Sequence, residues 1–354
     1  MFSSLIICGL AALELVAAAS TKKTSSTTYA DVIRVQSWNL RYDSMSDSIY
    51  YPQTASGLNA TVPYTSEVSW YSSYTEKAWS TRRIGVASTI QFMNPGVLCM
   101  QEALNRQVVD LAGMMPEYKW IGVGRDDGNT SGEYSTIFYR PELVTLHSWD
   151  YFWLSPTYTV PSKYTGAGSI RIATVGRFTS ANGTKFSAIC THWDDQSEDA
   201  RQYAASMIRY RGAYETKKWG EVLLFGDFNS PSSGSDDGGY NIITGAEDMV
   251  SVNATFLAEY KSSLSDTFVM EDLLKYTPPQ NRSGNHATFQ GFVKVTDTSD
   301  LKRIDFIMGG SNSTITPLRY RVEEMFFDNG YHQSDHRPVI ADVQLGTYKV
   351  SKSK

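Results

Sequence analysis

Cysteine is scarce in this chain, three among 354 residues, and Cys8 lies within the first twenty. That leaves Cys99 and Cys190, too few for a disulfide scaffold or a thiolate metal cluster. Each sits in a short apolar stretch that reads as a buried strand, so two buried free thiols are expected, with a single bridge between them as the alternative. Long apolar runs are missing as well. The longest, LIICGLAALELVAAA over 5–19, is too short to span a bilayer. Excess positive charge is absent, with 32 Lys and Arg against 37 Asp and Glu and a net charge of −5. No broad basic surface is therefore available to hold a long polyanion, and nucleic acid is a possible but not a favoured partner. The chain has no internal repeat and no low-complexity tract.

What is present suits one large domain. A chain with 41% hydrophobic and 13% aromatic residues can bury a sizeable core. The 5–19 run ends in Ala17-Ala18-Ala19 before Ser20 and reads as a secretory signal peptide, although no Lys or Arg precedes it and Glu14 interrupts it. A buried N-terminal helix is the other reading of the same run. Sequons at Asn59, Asn129, Asn182, Asn253, Asn281 and Asn312 favour the secretory route and an extracellular glycoprotein. The expected layout is a signal peptide over 1–19, a polar leader over 20–31, one large domain over 32–347 and a tail over 348–354. No oligomer signal is visible, so a monomer is expected.

Short apolar strands are expected at 32–38, 97–100, 136–139, 171–178, 186–190, 222–225, 303–308 and 338–343, and helices from Thr81, around 104–111 and over 198–217. Residues 44–78, rich in Ser, Tyr and Thr, read as a long loop or insertion over a site. Strands and helices mixed without a clean βαβ repeat predict a four-layer α/β sandwich, two mixed β-sheets packed between helices.

Polar groups recur where these strands end. Asn39 follows VIRVQSW, Gln101 and Glu102 follow GVLCM, and His192 follows KFSAIC. Asp227 and Asn229 follow EVLLF, Asp305 interrupts RIDFIM, and Asp335 with His336 precede RPVIADV. One polar residue at a strand end usually only begins a turn; six such places together suggest a site. The set is rich in oxygen acceptors, which suit a hard cation such as Mg²⁺ or Mn²⁺, with Glu102 as first ligand. Phosphate-ester hydrolysis needs an activated water, neutralised phosphoryl oxygens and help for the leaving oxygen. Asp227 and Asn229 can hold the water and the phosphate, while His192 and His336 can act as acid or electrostatic donors.

The ordered set WNLR, QE, GRDDG, GEYSTIFYR, THWDD, GDFN, RIDFI and SDHRPV resembles the endonuclease/exonuclease/phosphatase superfamily, with its deoxyribonuclease-I-like fold, over about residues 32–345. The resemblance implies that Asn39 orients the metal ligand and the scissile phosphate and that Glu102 binds Mg²⁺. It implies that Asp227 positions the water, that Asn229 donates to phosphate, and that His336 contacts phosphate with Asp335 as its partner or as a second metal ligand. It further implies that His192 pairs with Glu133, which lies seven residues before Arg140, and that Asp305 orients a histidine, His192 being the one expected. GRDDG, GE and the TH-x-D-x₃-E-x-AR stretch resemble a secreted branch in which Arg125 would form a phosphate fork; a loop ion pair with Asp126 or Asp127 is the alternative, and Arg201 is weighed in the same way. Two departures stand out. The 44–78 segment is longer than that branch usually carries, and Arg41 stands where some family nucleases have a carboxylate, with Asp43 close by.

The expected activity is metal-dependent hydrolysis of a small phosphate mono- or diester. A secreted nuclease and a phospholipid phosphodiesterase are the alternatives within the same chemistry. A non-catalytic glycosylated binding protein that kept the fold is the alternative outside it.

Overall fold

The structure, a computed structural model, describes residues 31–45, 47–51, 76–293, 297–311, 313–325 and 332–346. The expected signal peptide, nearly all of the leader, the C-terminal tail and most of the 44–78 segment lie outside the described residues.

Thirteen strands among the described residues form two mixed sheets. The seven-stranded sheet contains β1 (Asp31–Asn39), β2 (Val97–Ala103), β3 (Lys119–Ile121), β4 (Tyr134–Tyr139), β10 (Arg282–Gly284), β12 (Thr316–Val322) and β13 (Val339–Leu345). Its order is β10-β12-β13-β1-β2-β4-β3. The six-stranded sheet contains β5 (Val144–Trp153), β6 (Ile172–Ser180), β7 (Lys185–His192), β8 (Glu221–Asp227), β9 (Met270–Asp272) and β11 (Asp305–Gly310), in the order β5-β6-β7-β8-β11-β9.

Alternation of side chains along the central strands explains the layering. In β2, Val97 and Cys99 enter the core between the sheets, while Leu98 and Met100 turn outward against α1 (Trp79–Met93) and α2 (Asn105–Met114). In β8, Leu223 and Phe225 enter the inter-sheet core, while Val222 and Leu224 pack against α3 (Glu198–Lys218) and α4 (Gly238–Thr244). Both faces of these strands are buried, which is why they read as unbroken apolar runs. The result is the expected four-layer sandwich. Two short helices, α5 (Ala254–Tyr260) and α6 (Leu273–Tyr276), complete the α-helices among the described residues, a 3-10 turn follows at Pro279–Asn281, and no helix is long and apolar enough to cross a membrane.

Helix α3 follows from its ends. Ser197 caps it by accepting from the Ala200 amide, Glu198 and Asp199 occupy the first turn, and Lys217 and Lys218 the last. Each placement complements the helix dipole.

The expectation of free thiols is overturned. Cys99 and Cys190 form a disulfide that joins β2 to β7 across the sandwich, with Cα atoms 5.4 Å apart. Both residues occupy inward positions of opposite sheets, so the same core layer brings them together.

Candidate active site

The polar residues picked out by the sequence gather at one end of the sandwich. The parallel pairing of β7 with β8 sets His192 beside Asp227, and the antiparallel pairing of β8 with β11 sets Asp305 on the other side of Asp227. Asn39 ends β1 beside Gln101, next to Glu102. His336 lies just before β13, and Trp38 Nε1 donates to its carbonyl at 3.0 Å. Ser334 Oγ donates to the Asn39 carbonyl at 2.7 Å and so fastens the Ser334-Asp335-His336 turn to β1.

Local backbone irregularity aims these groups. The register between β2 and β4 shifts between Met100 and Ala103, and within that bulge Glu102 has φ 62°. Arg41 at φ 56° and Asn229 at φ 47° are also left-handed. For side chains other than glycine this conformation is costly, and three of the four such residues among the described ones lie here.

Asn39 bridges the two sheets' contributions: its Nδ2 donates to Glu102 Oε1 and to Asp227 Oδ2, each at 2.9 Å. The second Glu102 oxygen accepts from the Tyr42 amide at 3.1 Å. Asp227 Oδ1 accepts from the Asn229 amide at 2.9 Å. Asp227 Oδ2 lies 3.5 Å from His192 Nε2 and 3.6 Å from His336 Nε2. Asn229 Nδ2 donates to His192 Nε2 and to the Trp193 carbonyl, both at 3.1 Å.

One pairing differs from expectation. Asp305 orients His336, with Oδ2 to Nδ1 2.9 Å, and not His192. Asp335 makes no hydrogen bond to the His336 ring among the contacts described; its carboxylate accepts from Ser334 at 3.2 Å. The expected neighbour of His192 is in place at a longer reach, Glu133 Oε2 lying 3.8 Å from Nδ1. Arg125 grips that same Glu133 through both terminal nitrogens, at 2.5 and 2.9 Å, and is only within 3.9 Å of Asp126. The Arg125 fork is thus engaged by a carboxylate of the protein. Arg201 is likewise paired, with Glu198 at 2.6 Å and Asp236 at 3.6 Å.

The two histidines are driven in opposite directions. Burial lowers His192 well below its ordinary value, and Arg171, Arg125 and His336 reinforce this, so it is a neutral imidazole. Because its Nε2 accepts from Asn229, its proton is assigned to Nδ1, facing Glu133. Burial also disfavours the charged form of His336, but Asp305 and Asp227 outweigh it and raise the ring well above its ordinary value. Burial, with the Asp305 charge added, pushes Asp227 up to about 7. Glu133 rises to about 7 because burial and Glu102 outweigh Arg125. Burial and Glu102 also raise Asp335.

Such crowding of acidic groups suits a cation. Glu102, His192 and Asp227 each present a ligand atom within 4.8 Å of the others, and so do Asp227, Asp305 and His336. Asp305 Oδ1 and His192 Nδ1 are buried without a hydrogen-bond partner. Oxygen donors dominate both groups, which fits a hard divalent ion.

Glu102, His192, Asp227, Asn229, Asp335 and His336 line a cleft of about 1290 Å³, with Asn39 and Asp305 buried behind them. Arg171, which the sequence reading had placed only as the start of a strand, also lines it, together with Ser169, Asp195, Gln196 and the loop 231–236. Its position after Gly168-Ser169-Ile170, just ahead of an apolar strand, repeats the strand-end pattern of the other site residues and was the signal available.

No protein-family model matches the chain, and no curated protein does. Solved structures do match. An endonuclease/exonuclease/phosphatase from Bacteroides vulgatus is 27% identical, covers 89% of this chain and 99% of its own, and superposes with a TM-score of 0.66. A mannosyl-6-phosphatase from Bacteroides thetaiotaomicron is 26% identical over 88% of this chain and 99% of its own, with a TM-score of 0.64. The human Nocturnin catalytic domain is 13% identical, covers 90% and 96%, and has a TM-score of 0.58; there the likeness is one of fold. The structural neighbours are thus endonuclease/exonuclease/phosphatase family proteins.

Proposed function

We propose that the protein is a divalent-metal-dependent phosphoesterase acting on small phosphate esters, monoesters foremost. The observation that carries this reading is the convergence on Asp227: one buried carboxylate within 3.6 Å of two histidines and bridged through Asn39 to Glu102. Relatives of similar architecture, one of them a sugar phosphatase, support it.

Each group has a task. Glu102 and Asp335 would hold the cation, Mg²⁺ or Mn²⁺, with Asn39 orienting Glu102; when bound, the ion supplies neutralising charge to the phosphoryl oxygens. Asp227, raised to about 7, accepts a proton from the attacking water near neutral pH. Asn229 would donate to a phosphoryl oxygen by exchanging one of its two side-chain N–H bonds, to His192 or to the Trp193 carbonyl. His336, held as imidazolium by Asp305, donates to the phosphate and neutralises its developing charge. Neutral His192 steadies Asn229 on one side and is itself braced by Glu133, which Arg125 fixes. Two chemically identical rings thus hold different charge states, the division that acid–base work requires.

Small substrates fit the charge balance. Arg41, Arg125, Arg171, Arg201, Lys302, Arg303 and Arg337 line the cleft, yet carboxylates pair with each of them, so no continuous basic track is left for a polyanion. Export through the secretory route belongs to the same reading, and the sequon residues Asn129, Asn182 and Asn281 are all exposed.

The test is hydrolysis of a generic monoester, a generic diester, plasmid DNA and sphingomyelin with and without Mg²⁺ or Mn²⁺, using Asp227→Ala as control. Metal-dependent turnover of the monoester that disappears in the variant is expected. No turnover of any of the four, together with no metal binding by calorimetry, would refute the reading and leave a binding protein.

A further inference from the structure

Six arginines line the cleft, and five of them have no terminal nitrogen to offer a ligand. Glu133 takes both terminal nitrogens of Arg125, and Asp272 takes both of Arg303. Arg201 gives Nη2 to Glu198 and Nη1 to the Asp194 carbonyl, while Arg337 gives Nη2 to Glu324 and Nη1 to the Ala287 carbonyl. Arg171 gives Nη2 to Asp195, and its Nη1 is enclosed. Arg41 differs. Glu76 accepts from its Nε at 3.1 Å and from its Nη2 at 3.3 Å, which leaves Nη1 without a partner among the described residues and not enclosed. The side chain is 27% exposed.

The chain holds this side chain in place from several directions. Arg41 is left-handed at φ 56°, a conformation unfavourable to any residue with a Cβ. Glycine would fit such a turn with less strain, so the turn alone does not call for arginine. The Arg41 amide donates to Asn39 Oδ1 at 3.0 Å, and its carbonyl accepts from Arg82 Nη2 at 3.1 Å and from Gln107 Nε2 at 2.9 Å. Its guanidinium lies 4.5 Å from the centre of the Tyr42 ring, and the Tyr42 amide in turn holds Glu102. Burial opposes the charge of Arg41, but Glu76, Asp335 and Glu102 outweigh it and raise the group above its ordinary value. A fixed cation with one free donor thus stands beside the two carboxylates assigned to the metal.

From this geometry, and resting on the phosphoesterase reading, we propose that Arg41 is a further substrate-binding residue, its Nη1 donating to a terminal oxygen of the phosphoryl group. Guanidinium is suited to this task, being always charged and forming strong bonds to phosphate oxygens. Asn229 follows β8 of the six-stranded sheet and Arg41 follows β1 of the seven-stranded one, so the phosphate is gripped from both sheets. Glu76 occupies the Nε–Nη2 edge and Tyr42 a face of the guanidinium, which presents Nη1 already oriented, so little ordering remains to be done when the substrate binds. A cation on Glu102 and Asp335 offsets their charge and leaves that of Arg41 to act on the phosphate.

The test measures binding of inorganic phosphate by calorimetry with Mg²⁺ present, binding of Mg²⁺ alone, and turnover of p-nitrophenyl phosphate, in the wild type, Arg41→Asn and Arg41→Lys. Asparagine tolerates the left-handed conformation, so the turn stays in place, and thermal melts verify this. Arg41→Asn should weaken phosphate binding and lower kcat/KM by about tenfold to a hundredfold, the loss of a hydrogen bond between charged groups. Arg41→Lys keeps the charge without the fork and should fall between the two. Mg²⁺ affinity should not fall in either variant, because Arg41 holds no ion and its removal takes away a positive charge. Phosphate affinity within about twofold of the wild type in both folded variants would overturn the proposal. So would Mg²⁺ affinity that falls in step with phosphate affinity, since Arg41 would then act only by shaping the turn that holds Glu102. Turnover by the wild type that both variants retain sinks the Arg41 contact while leaving the phosphoesterase reading standing. Phosphate binding that depends on Arg41, with no turnover in the presence of Mg²⁺ or Mn²⁺, upholds the contact and sinks that reading.

Discussion

Replacing Cys99 and Cys190 together by alanine should lower stability by about 4.5 kcal/mol, because the bridge closes a loop between residues 91 apart and removes that loop's freedom from the unfolded chain. With roughly 300 ordered residues and ~2.1 cal/mol/K of unfolding entropy per residue, the loss corresponds to a fall in Tm of about 7 °C. Differential scanning calorimetry of the wild type and the double variant, without reductant, measures it directly. Thiol titration of the denatured wild type gives an independent readout: the bridge leaves at most Cys8 to react, whereas free thiols would add Cys99 and Cys190. Activity should fall at a lower temperature in the variant, since Cys99 lies three residues before Glu102 and Cys190 two before His192. A Tm change under about 2 °C, or full thiol reactivity in the unreduced protein, would refute the reasoning.

Three further outcomes follow from the ionic arrangement. Asp305→Asn should shift the alkaline limb of the pH profile of kcat/KM to lower pH by about one to two units. The lost charge-assisted bond is worth about 1.5–3 kcal/mol, and its removal lowers the raised His336, so the imidazolium is lost at lower pH. An unmoved limb would show that His336 does not act as a cation. Chelation should abolish turnover and lower Tm, with both restored by added Mg²⁺, because without a cation Glu102 repels Asp335 and Asp305 repels Asp227; equal melts with and without chelator would count against a bound ion. Glu215→Gln should destabilise the protein by about 3 kcal/mol at neutral pH, since it leaves the guanidinium groups of Arg177 and Arg211 to share one partly exposed carboxylate, Asp150. Burial tends to raise Glu215, but those arginines hold it below its ordinary 4.5. Its contribution is therefore present above pH 4.5 and lost on acidification below it, and the variant's acid unfolding should be correspondingly flatter; parallel wild-type and variant acid melts would contradict this.

Much of this architecture can be read from the chain, for reasons that also mark the limits. Strands β1, β2, β7 and β8 are buried on both faces, so their apolar runs stand out, whereas β5 and β12 carry many exposed positions and lack that contrast. Three-residue strands such as β3, β9 and β10 are too short to leave a pattern. The site residues were legible because each interrupts apolar sequence at a strand end. Their partners were not, because partnership depends on register: only the antiparallel pairing of β11 with β8 brings Asp305 beside Asp227 and within reach of His336 rather than His192. The disulfide escaped for a similar reason, since nothing local tells that Cys99 and Cys190 face the same layer.

The left-handed backbone at Glu102 and Asn229 bears on how such a protein can change over generations. Glycine at either position would relieve roughly 1 kcal/mol of conformational cost and would delete the functional side chain. Selection for thermal robustness alone would therefore push these two positions toward inactivity, and a library screened only for folding should be enriched in such losses. On the proposed phosphoesterase reading, glutamate and asparagine at these two places trade stability for catalysis.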